Sequence, residues 1–579
     1  LPHFPPCVID DVSLSRRTST KTLPVYKTTI AKTIRTIVGQ FVRFLTIQKK
    51  KKFFPSDTSF WMKSGQENLR RVLSQRDNVN QARNIIIFIG DGMGMASVTA
   101  GRIFQGQRKG GYGEEYRLNF EQFPNTGLSK TYNVNKQVPD SAATATAMFS
   151  GVKCNYKVVG LDSRSKFERC DKTVNKLSRL SSIAEWAQAA GKDTGFVTTT
   201  RVTHATPAAL YAHSNSRDWE CDTEIPNDQK ICAKDIARQL IEDAPGSNFK
   251  VIMGGGAQPM GVVDQQIDED LCVRNDRLNL TNIWQKKNPR GKFVANTGEL
   301  MSVDVGSASK LLGIFAPNHL PFHAVRETSD QGTPSLANMT LQAIRMLRRN
   351  KNGFLLMVES GRIDMAHHQN HVKLALREVG ALEDAVQVAL EQVNVDETLV
   401  VVTADHSHAF VMNGYPDRGN DILGFAVDKD APPYETLSYS NGPGYLYHRV
   451  NETSVQPSNQ TWRSVVDDPN RDEPFYMSFA GKYLKDETHG GEDVPVYAIG
   501  PYSHLFRGTF EQNYIAHALA YAGCLQNWPS HCDNSYHRGG SSYASNAGAL
   551  RPSYTFSTSV ALLLLIVVAA VGNNFQMQR

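Results

Sequence analysis

Six short apolar runs recur along this chain, and they constrain its fold more than any other sequence feature. They span residues 84–90, 194–200, 249–253, 354–358, 399–403 and 494–499. Continuous apolar runs of this length predict buried parallel strands, and helical patterns such as 177–190 and 372–392 lie between them. The alternation predicts an α/β fold, with a central, mainly parallel sheet and helices on both faces.

Charge is unevenly distributed along the 579 residues. Residues 1–56 contain eleven basic and two acidic residues, a net charge of +9, whereas the whole chain carries +6, so the remainder carries −3. The hydrophobic fraction of 40% and the charged fraction of 21% exclude a disordered, collagen-like or coiled-coil chain. A nucleic-acid surface would have to lie in 1–56, which contains no such motif, so we expect no nucleic-acid partner. This segment is of doubtful origin, either a basic targeting arm or an extension introduced by gene prediction.

Acidic residues and histidines cluster where the predicted strands end. Asp91, Glu359 and the pair Asp405-His406 follow three of the runs, and His489 precedes the last run. Ligands of open α/β sheets bind at the carboxyl ends of the strands, so we expect these side chains to converge. Taken singly, each has an ordinary structural explanation, such as a helix cap or a glycine-rich turn.

The spacing of Asp364 and His368 adds a second group of ligands. The two residues are four positions apart, which places them on one face of a helical turn. Two Asp/His clusters and a Glu form a ligand set suited to two Zn²⁺ ions and a harder Mg²⁺. Two metals about 4 Å apart favour phosphoryl displacement, so phosphate is a sensible substrate.

A nucleophile and an anion clamp can also be named. Ser141 opens an Ala-rich segment whose helical amides would favour a phosphate, although a plain helix N-cap is the alternative. Arg217 is the candidate for binding two phosphate oxygens through its planar fork, with Arg201 and Arg362 as structural competitors.

Six motifs in order resemble the alkaline phosphatases, specifically the animal membrane-anchored type, from about Phe60 to Cys532. The motifs are Ile89–Gly94, Val138–Thr146, Thr199–Pro207, Val358–Asp364, Val402–His408 and Glu487–Asp493. The resemblance implies the alkaline-phosphatase-like fold with a crown-like insertion at the rim of the site. We place this insertion at about 414–487, within a catalytic domain of residues 57–535.

The resemblance also implies a role for each site residue. Ser141 becomes a phosphoserine and Arg217 holds the phosphate. One Zn²⁺ binds Asp364, His368 and His489, and the other binds Asp91, Asp405 and His406. Mg²⁺ binds Asp91, Thr206 and Glu359, and lies near His204 through its waters. Cys170 is paired with Cys232 and Cys524 with Cys532, a Cys221–Cys272 pair is possible, and a Ca²⁺ site is expected near Ala233–Asp276, with Asp276 as its candidate ligand.

The C-terminal segment 536–579 predicts a glycosylphosphatidylinositol (GPI) anchor signal. Small residues from Asn546 form the expected attachment site, a polar spacer follows, and Val560–Val571 is apolar but too short to span a bilayer as a helix. A short buried terminal helix is the alternative. Glycosylation sequons stand at Asn279, Asn338, Asn451 and Asn459.

The function implied by this resemblance is metal-dependent hydrolysis of phosphate monoesters at alkaline pH through a phosphoserine intermediate. The enzyme is expected to be a homodimer, GPI-anchored on the extracellular face of the cell membrane. Two alternatives are a phosphodiesterase or sulfatase of the same fold, and a cell-surface binding protein.

Overall fold

The computed structural model describes residues 58–262, 271–427, 429, 432–449, 462–526 and 532. Several predicted features lie outside these residues, namely segment 1–56, the sequons at Asn451 and Asn459, and the anchor signal with Asn546.

The strands of the main sheet include all six apolar runs. They are β1 (Asn84–Gly90), β2 (Asn125–Lys130), β3 (Asp193–Arg201), β4 (Val251–Gly255), β5 (Lys292–Val294), β6 (Leu311–Ile314), β7 (Phe354–Ser360), β8 (Thr398–Ala404), β15 (Val494–Ile499) and β16 (Gly508–Glu511). Shorter strands lie outside this sheet: β9 (Ser407–His408), β10 (Phe410–Met412), β11 (Phe425–Ala426), β12 (Tyr434–Glu435), β13 (Leu437–Tyr439) and β14 (His489–Gly490).

The ten strands are arranged in the order β16-β2-β15-β8-β1-β7-β3-β4-β6-β5. Neighbouring strands are parallel except at β15, which is antiparallel to both β2 and β8. The mainly parallel sheet is therefore confirmed, but the prediction that run 494–499 is parallel is wrong. An apolar run encodes burial on both faces and carries no information about strand direction.

The helices cover both faces of the sheet. They are α1 (Thr58–Ser74), α2 (Met95–Arg108), α3 (Ser141–Ser150), α4 (Lys172–Ser178), α5 (Ile183–Ala189), α6 (Ala205–Ala208), α7 (Ile236–Glu242), α8 (Leu280–Lys287), α9 (Thr297–Met301), α10 (Leu336–Leu347), α11 (Arg362–His368), α12 (Val372–Gln392), α13 (Gly444–Tyr447) and α14 (Tyr514–Gly523). The helix predicted over 372–392 is confirmed. The one predicted over 177–190 is confirmed only for Ile183–Ala189, because the chain leaves α4 at Arg179 and Ser182 caps the separate helix α5 by accepting a hydrogen bond from the Glu185 amide.

Strand β1 shows why the sheet must be covered on both sides. Ile85, Ile87 and Ile89 are buried in one hydrophobic cluster, whereas Ile86 and Phe88 are buried in another. Successive side chains of a strand point to opposite faces, so the two clusters lie on the two sides of the sheet. In β1 the polar side chain, that of Asn84, is consequently confined to the first position of the strand.

Segment 414–487 contributes no strand to the main sheet among its described residues. It contains two-residue strands, β11 and β12, which pair with each other, and β13, which pairs with β10. The crown-like insertion remains a prediction, and these short sheets are compatible with it.

Candidate metal and phosphate site

Three neighbouring strands bring three carboxylates to one edge of the sheet. Asp91 directly follows β1, Asp405 directly follows β8, and Glu359 is the penultimate residue of β7. Strand β1 lies between the other two, and its Ile89 is in register with Glu359. All three carboxylates are fully buried. The parallel register therefore produces the convergence expected from the sequence.

Asp364, His368 and His489 meet at a common point. Oδ1 of Asp364 is 3.3 Å from Nε2 of His368 and 3.3 Å from Nε2 of His489, and the two ring nitrogens are 3.2 Å apart. The first pair occupies one turn of α11, as predicted, while His489 arrives on β14. These three atoms are close enough to one another to share one cation.

Asp91, Asp405 and His406 form the adjoining group. Nε2 of His406 is 3.4 Å from Oδ1 of Asp91 and 3.1 Å from Oδ2 of Asp405. The Gly92 amide donates to the other Asp405 oxygen at 2.9 Å, which fixes the orientation of that carboxylate. The three ligand atoms could therefore hold a second cation.

The third group, formed by Asp91, Glu359, Thr206 and His204, contains buried polar atoms that have no hydrogen-bond partner among the described residues. Among the described residues, neither oxygen of Asp91 has a hydrogen-bond partner, and neither does Oε1 of Glu359, Oγ1 of Thr206 or Nδ1 of His204. Buried polar atoms are normally satisfied, so a group of unpartnered oxygens in one place calls for an explanation. These hard oxygen donors suit Mg²⁺.

The charge states reflect carboxylates crowded away from water. Burial, reinforced by Asp405, raises the pKa of Asp91 well above its ordinary value. Burial likewise raises the pKa of Glu359 to about 7. At Asp364, burial would raise the pKa, but the adjacent His368 and its other histidine neighbours outweigh burial and lower it. The first two carboxylates thus lack the positive charge that a bound metal would supply.

Ser141 lies beside the second group at the start of α3. Its Oγ is 3.1 Å from Nε2 of His406, and its side chain is buried. Asp140 caps the helix by accepting hydrogen bonds from the Ala142 and Ala143 amides. Ser141 is thus the first residue of the helix, after the cap, at the end where the helix dipole favours negative charge.

Arg217 lies beside the start of α3, whereas Arg201 and Arg362 are held by other partners. Its guanidinium is 3.3 Å from Oδ2 of Asp140 and 3.1 Å from Nε2 of His204. Arg201 is instead bound by Glu220 through two hydrogen bonds, and Arg362 stacks on the ring of Phe322 at 3.7 Å. The geometry therefore favours Arg217 as the phosphate clamp.

Sequence reasoning missed His408 as a site residue. Its Nε2 is 2.9 Å from Oδ1 of Asp364, and its Nδ1 is 2.5 Å from Oε2 of Glu487. His408 therefore orients Asp364, in the way that residues behind metal ligands commonly do. The available signal was the second histidine of Asp405-His-Ser-His408, two positions beyond a predicted ligand.

The cysteines and Asp276 were also predicted from the resemblance. Disulfides join Cys170 to Cys232 and Cys221 to Cys272, while Cys524 and Cys532 are both disulfide-bonded. Asp276, the candidate calcium ligand, is bound by the buried guanidinium of Arg274 at 2.5 Å. That guanidinium pairs with the Asp276 carboxylate in this structure, and calcium binding at Asp276 stays a prediction.

Two predicted glycosylation sites lie among the described residues. The side chain of Asn279 caps α8 by accepting from the Asn282 amide, and Asn338 lies in the first turn of α10. Glycosylation at either residue stays a prediction.

Comparison with known proteins gives a consistent result. The alkaline phosphatase family model matches residues 82–525. Alkaline phosphatase 4 of Drosophila melanogaster is 48% identical over 499 residues, which cover 81% of this chain and 82% of that protein. The tissue-nonspecific alkaline phosphatase of Gallus gallus is 42% identical, covering 88% and 95%. The membrane-bound alkaline phosphatase of Bombyx mori is 41% identical, covering 81% and 86%.

Solved structures show the same fold at lower identity. Thermus thermophilus alkaline phosphatase has a TM-score of 0.56 and 22% identity, covering 79% of this chain and 94% of that one. The alkaline phosphatase of the Antarctic bacterium TAB5 has a TM-score of 0.52 and 23% identity, covering 77% and 99%.

Proposed function

This chain belongs to the alkaline phosphatase family and hydrolyses phosphate monoesters, and we propose that it does so with two Zn²⁺ ions and one Mg²⁺ through a phosphoserine on Ser141. The observation that carries the proposal is the group of unpartnered oxygens of Asp91, Glu359 and Thr206, beside two Asp/His groups of zinc-ligand type.

The residues present fit the three metals by their chemistry. Asp364, His368 and His489 would hold one Zn²⁺, and Asp91, Asp405 and His406 the other. Asp91, Thr206 and Glu359 would hold Mg²⁺, with His204 nearby. When bound, the metals supply Lewis-acid stabilisation of the negative charge that develops on the serine and leaving-group oxygens.

The protein's own groups position the reaction. Ser141 is held at the N-terminus of α3, where its Oγ can attack phosphorus and the helix amides favour the phosphate charge. Arg217, oriented by Asp140 and His204, would bind two phosphate oxygens in parallel. Attack by Oγ breaks the ester P–O bond and releases the alcohol. Water then attacks the phosphorus of the phosphoserine, which breaks the Oγ–P bond, releases inorganic phosphate and regenerates the serine hydroxyl.

Hydrolysis of an aryl phosphate at pH 9, with and without chelator, tests this proposal. Chelation should abolish turnover, and Zn²⁺ with Mg²⁺ should restore it. Ser141→Ala should collapse turnover while the metal content stays near that of the wild type, because all the Asp, Glu, His and Thr ligands named above remain. Full activity of Ser141→Ala would contradict the assignment of the nucleophile. Faster cleavage of an aryl diester or sulfate ester than of the monoester would favour the alternative activities.

We also propose that the protein is a homodimer. Helix α1 buries none of its residues and exposes Met62, Leu69 and Leu73, which share one helix face. An exposed apolar helix face is suited to pack against a second copy of this chain in a dimer interface. Leu69→Lys/Leu73→Lys should give a monomer in sedimentation velocity, whereas Glu67→Lys should remain a dimer. A wild-type monomer would overturn the assignment.

Membrane attachment through a GPI anchor on the extracellular face is the accompanying proposal. None of the described helices is long and apolar enough to cross a bilayer. A similar protein from Bombyx mori is named membrane-bound, and segment 536–579 carries the predicted anchor signal. Release of the expressed protein from cells by phosphatidylinositol-specific phospholipase C tests this proposal, and retention on the cells would contradict it.

A further inference from the structure

A cavity lies outside the proposed metal and phosphate site. It has a volume of about 400 Å³ and is bounded by α4, the start of α7 and the chain on either side of Arg217. None of the residues assigned above to the metals or the phosphate lines it. Its wall is formed in part by Lys172, Lys176, Arg179, Lys234 and Trp219.

The first reason to assign a ligand is the charge of one helix face. Lys172, Asn175, Lys176 and Arg179 are spaced at intervals of three and four residues, so they lie on one side of α4 and its C-terminal extension, and all four line the cavity. Among the described ion pairs, none involves Lys172 or Lys176, so their charges are available to a ligand.

The opposite wall adds a fourth cation but little negative charge. Lys234 lines the cavity and is ion-paired with Glu242 at 2.7 Å and with Asp243 at 2.8 Å. Asp243 is the one carboxylate among the described lining residues. Four cationic side chains therefore face a single acidic one, and such a concave surface concentrates anions.

The cavity is also pre-formed. The disulfide between Cys170 and Cys232 joins the start of α4 to the opposite wall. Arg179 is oriented by His213, whose Nδ1 lies 3.0 Å from the guanidinium while its Nε2 contacts the Leu180 carbonyl oxygen. Burial lowers the pKa of His213 to about 4, so the ring is neutral and its Nδ1 can accept from Arg179. A fixed wall reduces the ordering cost of binding.

We propose that this cavity binds a small polyanion that carries several sulfate or phosphate ester groups. Lysines provide point charges for such groups, and Arg179 provides a planar fork. Trp219 and Leu161 give the cavity an apolar wall against which a sugar-sized body can pack. A volume of about 400 Å³ lies at the lower end of the range for pockets that hold small organic ligands.

Calorimetric titration of the metal-loaded, full-length protein with sucrose octasulfate tests this site. In Lys172→Glu/Lys176→Glu the dissociation constant should rise by about tenfold or more, because two attractive charges become repulsive. The matched control is Lys351→Glu/Lys482→Glu, which makes the same change of net charge at exposed residues outside the cavity. The control should bind as the wild type does, and both variants should keep wild-type aryl phosphatase activity, which shows that they are folded.

Three results with this probe would overturn the proposal. The wild type could fail to bind at millimolar probe, the control could lose as much affinity as the cavity variant, or Arg217→Ala alone could weaken binding, which would place the probe in the catalytic site. Replacing the probe with inorganic phosphate separates the two ligand sources. If phosphate binds to Arg217→Ala and this binding is lost when Lys172→Glu/Lys176→Glu is added to that variant, the cavity recognises a single oxyanion, which contradicts a polyanion site. Because binding is measured without turnover, this test is independent of the proposed catalytic function.

Discussion

The molecule contains two clusters of three carboxylates, which differ in burial and in the partners of their oxygens. In the catalytic cluster, Asp91, Glu359 and Asp405 are buried, and the oxygens of Asp91 have no hydrogen-bond partner among the described residues. In the arginine cluster, Asp222, Asp235 and Asp276 surround the buried guanidinium of Arg274. Its nitrogens lie 4.0, 2.9 and 2.5 Å from the three carboxylates in that order.

One carboxylate of each cluster, Asp91 and Asp276, has its pKa shifted in the direction opposite to the other. Burial raises the pKa of Asp91, and neighbouring carboxylates raise it further. Burial alone would raise the pKa of Asp276 as well, but the hydrogen bonds from Arg274 outweigh burial and lower it. The catalytic cluster thus leaves the oxygens of Asp91 without a partner, whereas in the arginine cluster the chain provides the cation itself.

The largest expected effect comes from replacing one aspartate by asparagine in each cluster. Asp91→Asn should lower kcat/KM for an aryl phosphate by roughly a thousandfold, because it removes a ligand shared by two metals, each worth several kcal/mol of transition-state stabilisation. In chelator, the same variant should unfold at an equal or higher urea concentration than the wild type, since one mutually repelling charge is gone.

Asp235→Asn is the matched control for this comparison. It should keep near wild-type kcat/KM and unfold at a lower urea concentration, because Arg274 loses a charged partner 2.9 Å away. The comparison fails if Asp235→Asn loses activity as severely as Asp91→Asn, or if Asp91→Asn is the less stable protein in chelator.

The next largest effect should follow removal of the internal cation. Arg274→Met leaves Asp235 buried without its counter-charge, and we expect the free energy of unfolding to fall by about 3–5 kcal/mol. The Cys221–Cys272 disulfide still joins this segment to the rest of the chain, so the variant should fold. The double variant Arg274→Met/Asp235→Asn should recover part of the loss. A change below about 1 kcal/mol in urea unfolding would show that the pair is already solvated.

Much of the fold and the catalytic cluster could be predicted from the sequence. The apolar runs identified six of the ten strands of the sheet, and Asp91 and Asp405 directly follow strand ends, where parallel strands must bring them together. His368 could be paired with Asp364 because one helical turn relates them. In each case the geometry is a consequence of local periodicity.

The remaining features depend on contacts that local periodicity does not encode. The direction of β15 is set by its pairing with β2 and β8, not by its apolar composition. His408 meets a carboxylate 44 residues away. Arg274 pairs with aspartates on separate segments, since Asp222 and Asp235 precede α7 and Asp276 lies beyond it. The sequence shows these acidic residues but does not show which cation neutralises them.

Lys192 is a buried cation that is hydrogen-bonded to carbonyl oxygens, and it extends the comparison of the two clusters. The Nζ of Lys192 is hydrogen-bonded to the carbonyl oxygens of Arg83 and Asn352 at 2.8 and 3.0 Å, and burial lowers its pKa from 10.5 to about 8. Between these two values the unfolded chain holds the proton more tightly than the folded one, so stability should rise with pH over that range.

Lys192→Met should remove this rise. Between pH 8 and 10.5 the wild type should gain about 2–3 kcal/mol in free energy of unfolding relative to the variant, as the pKa difference requires. Urea unfolding across this pH range, with the exposed Lys351→Met as control, measures it. Parallel pH profiles for Lys192→Met and the wild type would mean that the folded lysine titrates as it does in the unfolded chain.

The smallest expected effect concerns Oγ1 of Thr206, the hydroxyl oxygen beside the catalytic cluster. Thr206 is fully buried and its Oγ1 is without a partner in the described part of the chain, beside the unpartnered oxygens of Asp91 and Glu359. Thr206→Ser keeps this oxygen and removes a methyl group, so we expect kcat/KM to stay within about twofold and stability to fall by about 1 kcal/mol. Thr206→Val keeps the shape and removes the oxygen, so the Mg²⁺ concentration for half-maximal activity should rise about tenfold. If Thr206→Ser and Thr206→Val shift the Mg²⁺ requirement equally, the requirement depends on the size of the side chain, and the Thr206 hydroxyl is not a ligand.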